Sequence, residues 1–180
     1  MKLMIASDIH GSALYCEKML DAFAREGADR LLLLGDILYH GPRNDLPEGY
    51  APKRVIEMLN AVGDRLLAVR GNCDTEVDQM VLQFPILADY CILYVGDRLV
   101  YATHGHNFNE EKLPPLQKGN ILLHGHTHVP VCREHEDYIY MNPGSVSIPK
   151  ENSAHGYMML SEGVAEWKTL EGAVWKHFNF

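Results

Sequence analysis

The sequence predicts an α/β fold, a four-layer sandwich in which two sheets pack face to face with helices outside. Three observations point there. The first half alternates short, near-continuous apolar runs with segments of helical periodicity, the pattern of β-α-β units whose sheet is buried on both faces. The second half turns to strand-like segments separated only by turn residues, which implies a second, largely antiparallel sheet. Several of the apolar runs also end on Asp, Asn or His, side chains that a packed core alone does not call for.

Taken in order, residues 2–7 form a short apolar run bounded by Asp8 and Gly11. Ala13, Leu14, Met19, Leu20 and Phe23 follow at helical spacing, giving strand, loop, helix. The pattern repeats at residues 31–34 ahead of Gly35-Asp36. Residues 52–62 read as a second helix, with Pro52 acceptable in the first turn because the N–H it lacks would have no partner there. Residues 66–69 lead into Gly71-Asn72 as a third strand. Beyond them, residues 90–95 and 98–103 flank Gly96-Asp97 as a hairpin. Residues 121–123 make a short buried strand, and 131–135, 138–142, 157–161, 165–170 and 173–178 are strand-like. No repeat, low-complexity tract or linker divides the chain, so one domain spanning residues 1–180 is expected.

Bulk properties narrow the function classes. With 180 residues, 47% of them hydrophobic, the chain can build one sizeable core but not two independent domains. A formal charge of -8 at pH 7 and a pI near 5.6 leave no basic patch to neutralise a phosphate backbone, which disfavours tight nucleic-acid binding. The four cysteines are far apart, as a reducing compartment predicts, so the cytoplasm is the expected location. Residues 1–7 run into a strand-like segment, unlike a signal peptide, and no apolar run approaches membrane-spanning length.

The chemistry-bearing fragments are Ser7-Asp8-Ile9-His10-Gly11, Gly35-Asp36, Gly71-Asn72-Cys73-Asp74, Thr103-His104-Gly105-His106 and Gly125-His126-Thr127-His128. Each follows the C-terminal end of an expected strand, where loops from separate strands converge on one cleft. Seven buried polar side chains directed at one place need a compensating charge, and two divalent cations would supply it. The ordered set DxH, GD, GN, H, GHxH resembles the calcineurin-like metallophosphoesterase superfamily. Within it the chain is most similar to the small YfcE-like phosphodiesterases of bacteria and archaea, relatives of a retromer subunit. The likeness runs from Asp8 to the stretch that begins Asn142-Pro143-Gly144-Ser145.

That resemblance implies a four-layer αββα sandwich of two mixed sheets and hydrolysis of phosphate esters at a dinuclear site. Asp8, His10 and His128 would bind the first metal, Asn72, His104 and His126 the second, and Asp36 would bridge them. Mixed carboxylate, amide and imidazole ligands suit Mn, Zn, Fe or Co better than Ca, and Mn2+ is the expected ion. Two such ions about 3.5 to 4 Å apart would lower the pKa of a shared water and orient it for in-line attack on phosphorus. Asp8 and Asp36 offset only half of the positive charge, so the centre still attracts an anionic diester.

The departure from the family pattern is Cys73, where much of the superfamily carries histidine after the asparagine. A thiol is a weak donor, with a reference pKa of about 8.5 that nearby metal charge would lower, so general-acid assistance should be poor. A preference for phosphodiesters over monoesters follows. Asp36, Asn72 and Cys73 are the expected catalytic residues. In the loop after Asp36, Arg43 is a candidate for a bidentate phosphate contact and His40 for a contact to the leaving group. His106 is a candidate to orient a metal ligand, whereas His124, His135, His155 and His177 read as core or surface residues.

The expected activity is therefore metal-dependent hydrolysis of a small organic phosphodiester. A protein-binding scaffold on the same fold is the competing class, and it would be favoured by loss of ligands; all seven positions here can ligate. A nuclease is less favoured, for want of a basic groove. The resemblance also implies a possible homo-oligomer.

Overall fold

The computed structural model describes residues 1–180. In chain order its elements are β1 (Leu3–Ala6), α1 (Ala13–Glu26), β2 (Arg30–Leu33), α2 (Pro52–Val62), β3 (Leu66–Ala68), α3 (Glu76–Gln79), β4 (Tyr90–Val95), β5 (Arg98–Thr103), β6 (Asn120–His124), β7 (Val131–Glu134), β8 (Tyr138–Asn142), β9 (Gly156–Ser161), β10 (Val164–Thr169) and β11 (Val174–Asn179). They form a six-stranded sheet in the order β11-β10-β9-β1-β2-β3 and a five-stranded sheet in the order β4-β5-β6-β8-β7. Both sheets are mixed: β1, β2 and β3 run parallel, as do β5, β6 and β8, and antiparallel strands complete each sheet.

The sheets pack through one core. Leu3 and Ile5 of β1 and Leu32 of β2 meet Val100, Ala102, Ile121, Leu123 and Met141 from the other sheet, around a fully buried Trp167. Cutting Leu123 to alanine would cost about 2–5 kcal/mol, the usual penalty for such a cavity. The alternate residues Met4, Ala6, Leu31 and Leu33 face the opposite way, onto the buried stripes of α1 and α2. Both helices have clear local causes. Ser12 caps α1 by accepting the Tyr15 N–H, Gly27 ends it in the left-handed conformation, and Pro52 opens α2. The outer face of the five-stranded sheet carries Leu122, Tyr138 and Tyr140 under an irregular segment, with Leu116 packed against them and Phe108 against Tyr101.

Two expectations are corrected. The last three strands do not join the second sheet. They return to the first, because β9 is apolar on both faces and pairs antiparallel with the buried edge of β1. The second sheet is accordingly mixed, not largely antiparallel. The short α3 has no counterpart in the sequence reading, although Thr75 and Asp78 form the capping box that starts it.

Candidate metal centre

All six parallel strands point the same way, and the loops after five of them supply the candidate ligands. Asp8 and His10 follow β1, Asp36 follows β2, Asn72 follows β3, His104 follows β5, and His126 and His128 follow β6. Of the seven non-glycine residues with positive φ, five belong to this set: Asp8, His10, Asp36, His126 and His128. Left-handed backbone is unfavourable for such residues and persists only where surroundings enforce it, so its concentration here marks a functional constraint.

The enforcement is visible. The Asp8, His10 and Gly11 N–H groups donate to the carbonyls of Gly35, Asp36 and Ile37, lacing the first loop to the second. The hydroxyls of Ser145 and Ser147 both donate to the Asp8 carbonyl, at 2.9 and 3.0 Å. Asp74, 1% exposed, accepts from the N–H groups of Asp36, Ile37 and Gly71 at 2.7–2.9 Å. Gly71 must be glycine for packing reasons: a Cβ there would sit 2.1 Å from Asp36 Oδ1. Asn142 donates to the Gly125 carbonyl and to Thr127 Oγ1, which holds the turn between His126 and its neighbours.

The imidazoles are oriented by the backbone. Nδ1 of His10, His104 and His128 donates to the carbonyls of Tyr39, Leu34 and Ile148 at 2.8, 2.6 and 2.7 Å. That fixes the tautomer and turns each Nε2 towards the centre. Nε2 of His10 and of His128 then lie 3.3 Å apart, and Nε2 of His128 is 3.2 Å from Asp8 Oδ1, a buried oxygen with no hydrogen-bond partner. On the other side, His104 Nε2 is approached by Asn72 Oδ1 at 3.1 Å, His126 Nδ1 at 3.1 Å and Asp36 Oδ2 at 3.5 Å. Even a protonated His104 has a single hydrogen at Nε2, which cannot serve three neighbours. Two cations can serve both groups, so the orphaned Asp8 oxygen and the donor set fit divalent metals. Asp8, His10 and His128 form one cluster able to hold an ion, and Asp8, Asp36 and His104 form another.

The electrostatics of the metal-free protein agree. Burial alone would raise Asp8, but the His10 and His128 imidazoles lying against it hold it well below the usual carboxylate range. Burial would also raise Asp36, yet the His104 contact brings it down. Burial would lower His104, but the Asp36 hydrogen bond and the charges of Asp8 and Asp36 carry it up to about 9. His126, desolvated and beside His104, is lowered to about 4. Its neutral ring thus keeps a lone pair available to a metal at neutral pH.

The centre opens into a cleft of about 390 Å³ lined by Asp36, Asn72, Cys73, His126 and His128 on one side and Arg43, Asn44 and Lys150 on the other. Cys73 is 8% exposed, with its N–H donating to Asp36 Oδ1. Burial and the neighbouring carboxylates, Asp36 foremost, push its thiol up in the metal-free protein. Arg43 lines the cleft. His40 does not: its ring packs edge-on against Tyr39 and Tyr50. His106 packs near the His104 ring with Nδ1 unpartnered, and orientation of the ligands comes instead from the backbone carbonyls. His124 is buried and stacks on Tyr140. The sequence did not single out Lys150, and it gave no role to Asp74 or the two serines. Asp74 had one available signal, a carboxylate directly after Gly-Asn-Cys, but its partners are backbone groups that spacing does not reveal.

Residues 1–163 match the family described as the calcineurin-like phosphoesterase superfamily domain. Phosphodiesterase YfcE of Escherichia coli (strain K12) is 52% identical over 164 residues, covering 91% of this chain and 89% of the relative. The solved structure of YfcE, described as a phosphoesterase from E. coli, superposes with a TM-score of 0.96 at 48% identity, covering 99% of each chain. Vps29 from Entamoeba histolytica, solved in complex with Zn+2, shares the fold at a TM-score of 0.62 and 16% identity, covering 99% of each chain.

Proposed function

The chain belongs to the calcineurin-like phosphoesterase superfamily and is a phosphoric ester hydrolase, and from that premise we propose that it is a phosphodiesterase of small organic substrates using two divalent ions. The observation that carries the proposal is the convergence of two sets of lone pairs, around Asp8 Oδ1 and around His104 Nε2, with Asp36 between them. Asp8, His10 and His128 would hold one ion, Asn72, His104 and His126 the other, and Asp36 both. Two ions bound there would supply the nucleophilic hydroxide and offset charge developing on phosphorus. Mn2+ suits the ligand set, with Zn2+, Fe2+ or Co2+ as alternatives.

The chain's own residues do the rest. Asn72 Nδ2 donates to Cys73 Sγ at 3.3 Å, which leaves Oδ1 for the centre. Arg43 and Lys150 present positive charge across the cleft and bind the non-bridging phosphate oxygens. Cys73 stands beside Asp36 as a neutral thiol, a poor proton donor, so a monoester dianion gains little there while a diester monoanion needs less. His40 packs against Tyr39 and Tyr50 and takes no part at the leaving group. We take residues 1–180 as one catalytic unit. No helix is long and apolar enough to cross a membrane, and the four cysteines are free, which supports a cytoplasmic setting. The formal charge of -8 argues against a nucleic-acid substrate. A homo-oligomer is part of the same reading.

The test is hydrolysis of an aryl phosphodiester with and without manganese, beside an aryl monoester and single-stranded DNA. Manganese-dependent cleavage of the diester alone is expected. Equal cleavage of DNA would favour a nuclease, and no cleavage of any of them would favour a scaffold.

A further inference from the structure

Beside the metal cleft lies a second cavity of about 360 Å³ with the opposite chemistry. Seven of its eleven lining residues are hydrophobic, against one of eleven in the metal cleft. Leu38, Tyr39, Tyr50, Ile56, Val77 and Val81 supply the apolar surface, and Cys73 lines both cavities. The Cys73 thiol is also within 4.8 Å of the candidate ligand atoms of His10 and Asp36. The apolar cavity therefore begins one side chain away from where phosphorus would sit.

Its walls are fixed by the same structure that builds the centre. Tyr39 contributes its ring to the cavity and its carbonyl to His10 Nδ1. Tyr50 packs so closely on Gly11 that a Cβ there would lie 2.5 Å from the ring. Val77 rides on α3, held by its Thr75–Asp78 capping box. Yet Tyr39, Val77 and Val81 are 42%, 69% and 43% exposed, an apolar surface left in water beside a polar reaction centre. An apolar hollow that shares Cys73 with the metal cleft suits an apolar substituent attached to the phosphate.

We propose that this cavity receives an apolar ester group, alkyl or aryl, and that the substrate is a phosphodiester with one apolar arm there and one polar arm towards Arg43 and Lys150. The assignment rests on the phosphodiesterase reading. The Cys73 side chain it shares with the metal cleft favours the substrate's own arm over a second protein surface.

The test is calorimetric binding of O-methyl alkylphosphonates, methyl against butyl, to the manganese-loaded protein, with aryl diester hydrolysis as control. Burying three methylenes even partly should tighten the butyl compound at least about tenfold over the methyl compound. The isosteric surface variant V77T/V81T should shrink that ratio about threefold or more. Equal binding of the two phosphonates, with the control diester hydrolysed, overturns the inference and leaves the phosphodiesterase reading standing. So does a ratio that the variant leaves unchanged, or a dimer by sedimentation that loosens in the variant while the ratio stays near one. Failure of both phosphonate binding and diester hydrolysis overturns the two together.

Discussion

On the inner wall of the cleft, Asp8, His10, Asp36 and His128 are each at most 3% exposed, and backbone or hydroxyl hydrogen bonds fasten the loop that carries each one. On the outer wall, Arg43 and Lys150 extend from exposed loop positions. The inner wall is preorganised at the cost of left-handed backbone at five residues, and its side chains hold their geometry before any ion arrives. The outer wall has no such fastening on its charged side chains. Disturbing the first should therefore abolish chemistry, whereas disturbing the second should change affinity.

The largest effect is expected at Asp74, which touches no substrate but clamps the N–H groups of Asp36, Ile37 and Gly71. D74N should lower manganese affinity and diester turnover about 10- to 100-fold, read by metal titration and steady-state kinetics. Wild-type affinity in D74N would mean that the inner wall does not need its clamp. Next is C73H, which places a stronger donor between Asn72 and Asp36. Monoester turnover should rise about tenfold relative to diester turnover, and an unchanged ratio removes the role given to the thiol. On the outer wall, R43A should raise KM for the diester by about tenfold with kcat little changed, the loss of one charge-assisted contact. A fall confined to kcat would move Arg43 into the chemical step.

The smallest effect concerns pH. In the metal-free protein the pKa of His104 is raised to about 9 by Asp36 and Asp8 against the pull of burial. A raised folded-state value means that this stabilisation is complete below the unfolded value of about 6.5 and is lost as pH climbs through 9. The metal-free Tm should thus fall by several degrees between pH 7 and 10, measured by scanning calorimetry. The manganese-loaded protein should lack that decline, because the ion replaces the proton.

The contrast between the walls also explains what the sequence disclosed. Strand ends followed by Asp, Asn or His stand out because backbone direction carries such residues to one end of the sandwich wherever parallel strands occur. The fold was legible for similar reasons. Turn residues at Gly96-Asp97 and Pro52 at a helix start locate the β4–β5 hairpin and α2 at the bounds found. The sheet membership of β9, β10 and β11 was not, since β9 is apolar on both faces and alternation cannot say which sheet it joins. Lys150, Asp74 and the apolar cavity were equally hidden, because each depends on where separate loops meet. Arg43 was named from its place just after Asp36, while His40, three residues earlier, turned into a tyrosine sandwich that no spacing indicates.

The most direct test of the account is anomalous scattering from crystals of the manganese-saturated protein. Two ions are predicted, one among Asp8, His10 and His128 and one among Asn72, His104 and His126, with Asp36 touching both. A single ion at saturation, or a pair that leaves Asp36 uncoordinated, would contradict it.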